Sequence, residues 1–301
     1  RDGWPRGGRS CHMLAAHMNI EDEAARDRVQ RFWNSPTMAA RPGLKAVEMF
    51  EAVADGRIKA LWIMATNPVV SMPDADRVRE AISNCPFVVV SDIQKNTDTA
   101  ALAHVLLPAA GWGEKDGTVT NSERRISHQR NFLDLPGDAK PEWWHMAEVA
   151  KRMGFDGFDY DNPATIFAEH AALSGFENDG TRDFDIGAKA DISPDTFEAM
   201  SPFQWPHRKG APEGVTRFFA DGQFYTPDRK ARFISVKSER DDRTSKDAPF
   251  ILNTGRIRDQ WHTMTRTGKA ARLSSHLAEP FAEINPADAA ELGIDKAGLV
   301  R

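Results

Sequence analysis

Two short stretches decide the fold: IKALWIMATNP at 58–68 and PFVVVSD at 86–92. Each is an almost unbroken apolar run of strand length that stops on polar turn residues. The first ends at Thr66, Asn67 and Pro68, the second at Ser91 and Asp92. A strand with one face in water alternates apolar and polar side chains, whereas continuous runs of Val, Ile and Leu mark strands of a covered parallel sheet. Between the runs, DADRVREAISN at 74–84 has helical spacing. Strand, helix, strand implies a crossover, and so parallel pairing. A short helical piece at 97–103 then leads to a third strand at 105–107, stopped by Pro108. The expected class is α/β, a doubly wound, mostly parallel sheet.

Outward from that unit, 20–30 and 44–54 read as helices, the second with Val47, Phe50 and Val53 on one face. HMLAAHM at 12–18 also reads as helix, and 142–153 and 163–172 are two more. From 178 the texture changes to Asp, Gly, Pro and Lys with isolated aromatics, predicting an irregular connector over 178–248. Apolar runs at 250–252, 281–284 and 298–300 predict strands, so 249–301 is expected to open a second domain of β character, after an α/β domain over 12–177.

Composition excludes several functions. The 301 residues are 41% hydrophobic and 28% charged with a net charge of −5, which describes a soluble globular protein rather than one that neutralises a phosphate backbone. No nucleic-acid partner is expected. Two cysteines, Cys11 and Cys85, are too few for a disulfide framework or a thiolate metal site. No apolar run reaches the roughly 18 residues that cross a bilayer, so no membrane partner is expected either.

Ligands of open parallel sheets bind outside the carboxyl ends of the strands, which here carry Asn67, Ser91 and Asp92. A carboxylate such as Asp92 can accept from ribose hydroxyls or from the N–H edge of a guanine. Asn67 and Asp92 equally suit turn or N-cap roles, and the pattern alone leaves both readings open. No strand is followed by the Gly-rich turn that a nicotinamide dinucleotide needs. In GWGEKDG at 111–117, Lys115 sits in a Gly-rich loop where it can meet a phosphate as a point charge or simply stay solvated. NTGRIRDQWHTMTRTGK at 253–269 is the densest group of donors in the chain, directly after an expected strand. That arrangement suits a polyanion such as a pyrophosphate, although His262 also suits a structural role.

Taken together, 61–130 (LWIMATNPVV through ERRISHQR), 253–269 and FWNSPTMAARPGLKAVEMF at 32–50 resemble bacterial molybdopterin guanine dinucleotide oxidoreductases. Among these the assimilatory nitrate reductases are the nearest, and the resemblance runs from 12 to 301. It implies a molybdenum enzyme reducing nitrate to nitrite with bis-molybdopterin guanine dinucleotide, and a C-terminal β-barrel whose truncated start is 249–301. The cofactor-binding positions it implies are Asn67, Ser91, Asp92, Lys115 and Glu142, where relatives often carry Asp. It adds the run Thr254, Gly255, Arg256, Ile257, Arg258, Asp259, Gln260, Trp261, His262 and Thr263.

The same resemblance implies a fragment. The 4Fe-4S domain and the molybdenum-ligating cysteine fall outside the chain, and Cys85, just before a buried strand, does not replace that cysteine. No catalytic or metal-binding residue is therefore expected here, and the chain alone is expected to be inactive. Nitrate and an electron donor (ferredoxin, flavodoxin or an NADH-flavin subunit) are the implied partners, and the cytoplasm the implied location. Other molybdopterin oxidoreductases, a periplasmic nitrate reductase or a formate dehydrogenase, are the alternative, as is a cofactor-free structural relative in electron transfer. The opening RDGWPRGGRSC at 1–11 lacks the family's Gly-rich run A-M-G-G-R-E-V-G-G-L-A. Permitted codons for 1–11 spell that run one nucleotide later, so 1–11 is expected to be an out-of-frame translation without native partners, with Pro5 where the run has its arginine.

Overall fold

The computed structural model describes residues 13–237 and 244–300. They belong to two compact units, divided between 237 and 238, each described by itself. The expected out-of-frame segment 1–11 lies outside the described residues.

The first unit begins with a turn rather than the expected helix. Ala16 and His17 adopt left-handed backbone conformations, and Met13 bridges Asn19 across the bend. The reason lies in the pattern: Ala15, Ala16, Met18 and Ile20 are all buried, a spacing no single helix face can satisfy. Helix α1 (Glu23–Trp33) follows, capped by the Asp22 side chain on the Ala24 N–H and ended by left-handed Asn34. Then come α2 (Ala46–Ala54), β1 (Ala60–Met64), α3 (Pro68–Ser71), α4 (Ala75–Asn84), β2 (Phe87–Asp92) and β3 (Val105–Pro108). The 97–103 piece reduces to one tight turn at Ala100–Leu102.

The three strands form a parallel sheet in the order β1-β2-β3, so the chain is α/β as read from its sequence. Its core joins Leu61, Ile63, Val88 and Val90 of the strands to Phe50 and Val53 of α2 and to Val78, Ala81 and Ile82 of α4. Burial alternates along β1: Leu61 and Ile63 are inside while Trp62 and Met64 are half-buried. One face of the sheet therefore carries the core. Val47, expected with Phe50 and Val53, stands exposed at the rim.

A second, antiparallel sheet was not legible in the sequence. It pairs β4 (Gly117–Thr120) with β5 (Arg125–Gln129), and β5 with β6 (Phe203–Gln204). Helices α5 (Glu142–Arg152), α6 (Pro163–Gly175) and α7 (Pro194–Glu198) complete the unit. A separate core gathers Val29 of α1, Ile126 of β5, Phe167, Ala171 and Leu173 of α6, and Phe197 of α7. Phe184, Ile186 and Met200 belong to it too, so this part of the connector expected to be irregular is packed and carries the short helix α7. Arg124, in a left-handed conformation, ties that stretch to the hairpin. Its guanidinium donates to the Trp205, Val215 and Thr216 carbonyls and lies 4.0 Å from the Phe218 ring centre.

In the second unit the strands expected at 250–252, 281–284 and 298–300 do not form among the described residues, which hold α8 (Ala271–Ser274) and α9 (Pro286–Glu291). The physical reason is exposure. Ile251 and Leu252 are 77% and 89% exposed, and an unpaired extended segment has neither a ladder nor an apolar face to bury. Helix α9 is well delimited, with Asn285 capping Ala287, Pro286 in its first turn, and left-handed Gly293 closing it.

Ile82, with no exposed surface, sits where α4 meets the sheet. Ile82→Ala is expected to cost about 2–5 kcal/mol, and Phe87→Ala, at the half-exposed start of β2, markedly less. Urea denaturation of the two variants checks the ranking, and an equal loss would place the core elsewhere.

Candidate functional site

The carboxyl ends of the parallel strands bring the expected residues into one row. Register sets Ser91 opposite Met64 on β1 and Leu107 on β3, and Asp92 opposite Pro108. Beyond β3 the row continues. Ala109 bridges Lys140, the Ala110 N–H donates to the Lys140 carbonyl, and the Lys140 N–H donates to the Pro108 carbonyl. Two residues later Glu142 opens α5. Asn67, Ser91, Asp92 and Glu142 thus line a single edge of the first unit.

Each is held by its own partner. Asn67 is buried, and its Oδ1 accepts from the Thr99 N–H (3.3 Å) and the Thr99 hydroxyl (2.7 Å). It thereby ties the turn after β1 to the connection after β2. Ser91 is 1% exposed, and its hydroxyl oxygen accepts from the Trp62 indole N–H at 2.9 Å. Asp92 is half-buried and accepts from the Gln94 N–H at 2.9 Å, a turn-forming bond of the kind the sequence left open. Thr99 and Trp62 are the residues that sequence reasoning missed. They bond across 32 and 29 positions, and no local signal announces such pairs.

Lys115 and Glu142 meet each other. The ammonium donates to both carboxylate oxygens, at 2.9 and 2.8 Å, with the Lys115 side chain 28% and that of Glu142 5% exposed. A buried carboxylate needs such a partner. The loop at 111–117 that carries Lys115 also has a steric requirement: a Cβ on Gly113 would lie 2.7 Å from the Phe132 ring. Nearby, Asp116, His128 and Glu198 bring ligand-type atoms within 4.8 Å of one another. His128 Nε2 lies 2.5 Å from Asp116, and Arg130 donates to Glu198, so each of the three already has a side-chain partner.

Helix α5 adds a buried imidazole. His145 is 6% exposed, its Nδ1 has no hydrogen-bond partner among the described residues, and burial holds its pKa below the usual histidine value, against the pull of the Glu142 charge.

In the second unit, 254–263 is an irregular loop with left-handed His262. Thr254, Gly255 and Arg256 are exposed, and Arg256 has no hydrogen bond or ion pair among the described residues. Asp259 accepts from Arg258 at 3.1 Å and meets His276 Nδ1 at 2.6 Å, which hold its carboxyl below the usual range. The Trp261 and His262 rings lie edge to face, 4.3 Å apart, and Gln260 reaches Ser274. Ile257 and Thr263 are half-buried. Two arginines, a histidine and small hydroxyl residues on an open backbone suit a phosphate-bearing ligand.

Comparison with known proteins finds two matching family models and several similar chains. Residues 8–152 match the family model described as molybdopterin oxidoreductase, and 250–301 match that of the molydopterin dinucleotide binding domain. The chain is 50% identical over 294 residues to a nitrate reductase of Klebsiella oxytoca, covering 96% of this chain and 33% of the relative. It is 31% identical over 299 residues to the assimilatory nitrate reductase catalytic subunit of Bacillus subtilis, covering 98% of this chain and 41% of the relative. It thus spans about a third of the length of the first relatives it matches. Acetylene hydratase from Pelobacter acetylenicus shares the fold at a TM-score of 0.55 and 18% identity, over 83% of this chain and 34% of that one.

Two outcomes follow for this edge. Lys115→Met, which leaves a buried carboxylate unpaired, is expected to cost on the order of 3 kcal/mol. Glu142→Gln leaves an ammonium that still reaches water, and is expected to cost less, on the order of 1 kcal/mol. Chemical denaturation of both variants reads the asymmetry, and a costlier Glu142→Gln would contradict it. For His145, the depressed folded-state pKa means the unfolded chain binds the proton more readily. Its contribution to stability is present above about pH 6.5 and is lost as pH falls below it. His145→Phe is expected to flatten stability over that window, which a pH series of denaturation midpoints measures.

Proposed function

We propose, from the premise that this chain belongs to the molybdopterin oxidoreductase family, that it holds bis-molybdopterin guanine dinucleotide within a longer, nitrate-reducing molybdenum enzyme. When bound, that cofactor supplies a molybdenum centre for two-electron oxygen-atom transfer, taking nitrate to nitrite. The residues present fit the group. The observation that carries the reading is the row of polar side chains on the carboxyl edge of the sheet, ending in the Lys115–Glu142 pair.

In this reading each side chain has a definite task. Asp92 accepts from the N1–H and amino edge of guanine or from ribose hydroxyls, its half-buried carboxylate lying at the end of the central strand. Asn67 and Ser91, engaged by Thr99 and Trp62, shape the backbone of the edge. Lys115 offers a cation whose head Glu142 keeps at a fixed point. Thr254, Arg256, Arg258, His262 and Thr263 contribute donors to phosphate oxygens, with Gly255 letting backbone approach and Ile257, Asp259, Gln260 and Trp261 shaping the loop.

In this reading a 4Fe-4S cluster, which takes four cysteine ligands, belongs to other parts of the longer enzyme because the chain has two cysteines, and so does the molybdenum ligand, since buried Cys85 precedes a core strand. Electrons arrive from a ferredoxin, a flavodoxin or an NADH-flavin subunit. Among the described residues no helix is long and apolar enough to cross a membrane. The name of the Bacillus subtilis relative, an assimilatory nitrate reductase catalytic subunit, supports an assimilatory role.

Asp92→Ala in the full-length enzyme tests the site. Loss of a charge-assisted hydrogen bond, about 1.5–3 kcal/mol, is expected to weaken cofactor retention roughly 10- to 100-fold. Cofactor content after dilution, and nitrate-dependent oxidation of reduced viologen, are the measurements. Unchanged cofactor content would remove Asp92 from the site. Oxidation of formate without nitrate reduction would replace the nitrate reading with a formate dehydrogenase.

A further inference from the structure

The loop at 111–117 is a single tight turn, Trp112–Glu114, followed by Lys115. Such a turn leaves end N–H and carbonyl groups without internal partners. At its start, the Glu114 carboxylate accepts from the Gly111 N–H at 2.6 Å. At its end, one side chain serves two carbonyls: the Gln129 amide donates to the Trp112 carbonyl (2.7 Å) and to the Lys115 carbonyl (3.3 Å). The neighbouring residue on β5 holds the next position. His128 donates through Nε2 to Asp116, whose same oxygen accepts the Gly117 N–H at 2.7 Å. The His128 side chain has no exposed surface and packs 4.5 Å from the Phe197 ring. Successive residues of a strand point to opposite faces, so Gln129 and His128 grip the loop from different directions.

We propose that Gln129 and His128 are positioning residues for Lys115. They fix the backbone on both sides of it, while Glu142 fixes its ammonium, so that one donor stands ready at the sheet edge for an acceptor group of the dinucleotide. A lysine has a long flexible stem and loses rotamer freedom when it binds, and a pre-fixed backbone and head remove much of that cost. The proposal rests on the reading that Lys115 touches the dinucleotide.

A double-mutant cycle in the full-length holoenzyme tests it, reading the rate at which the pterin dinucleotide is released, by fluorescence after oxidation. Gln129→Glu keeps the shape of the side chain and removes both donated bonds. It is expected to speed release about tenfold in the parent enzyme and to add nothing in a Lys115→Met background. Gln129→Met is read in the same cycle, should the added charge of Gln129→Glu prevent folding. His128→Phe, which keeps a ring against Phe197 but cannot donate, is expected to speed release, and His128→Gln to restore it toward the parent rate. Equal acceleration by Gln129→Glu with and without Lys115 overturns the positioning role, leaving a general structural one. Unaltered release in Lys115→Met itself overturns the contact between Lys115 and the dinucleotide, and the proposal with it.

Discussion

Parallel pairing of β2 with a neighbour on each side is the constraint on which the first unit depends. A strand in that position has both rows of backbone groups committed to its neighbours, so its register cannot slide without stranding buried donors and acceptors. Because Ser91 is locked opposite Met64 and Leu107, the three chain segments that leave the sheet do so at one level. The edge that gathers Asn67, Asp92 and Glu142 follows from that alignment, with the Ala109–Lys140 bridge as its extension.

The polar groups at this edge are not loosely presented. Burial makes an unpartnered amide, hydroxyl or carboxylate expensive, and the fold answers with Thr99, Trp62 and Lys115. The same bonds staple neighbouring loops, so the groups that shape the edge also stabilise it. In the second unit the loop at 254–263 is arranged differently, with exposed Arg256 beside an inward-tied Asp259.

The strands at β1 and β2 were legible because their apolar runs are continuous and end on Thr-Asn-Pro and Ser-Asp. Helices α4, α5 and α6 were legible from the spacing of their apolar residues. HMLAAHM misled because Leu14, Ala15 and Ala16 are good helix formers whose burial is set by tertiary packing instead. The hairpin of β4 and β5 escaped because TVTNSERRISHQ is polar and its turn lacks an Asn-Gly pair, relying on left-handed Arg124. At 250–252 the residues have the composition of a strand, but a strand is a property of a pair. For the site, strand-end positions were readable, whereas Trp62, Thr99, Gln129 and His128 act over distances in sequence that no local pattern encodes.

Gly113 illustrates how packing can pass for chemistry. The Phe132 ring occupies the space where its side chain would begin, so nearly any replacement must displace that ring and, with it, the turn before Lys115. A survey of substitutions scored only by enzyme output would rank this glycine beside the polar residues of the edge, although it offers no functional group. Its signature is different: a smaller residue at 132 would relieve the replacement at 113. Compensation between the two positions separates a steric tenant from a ligand.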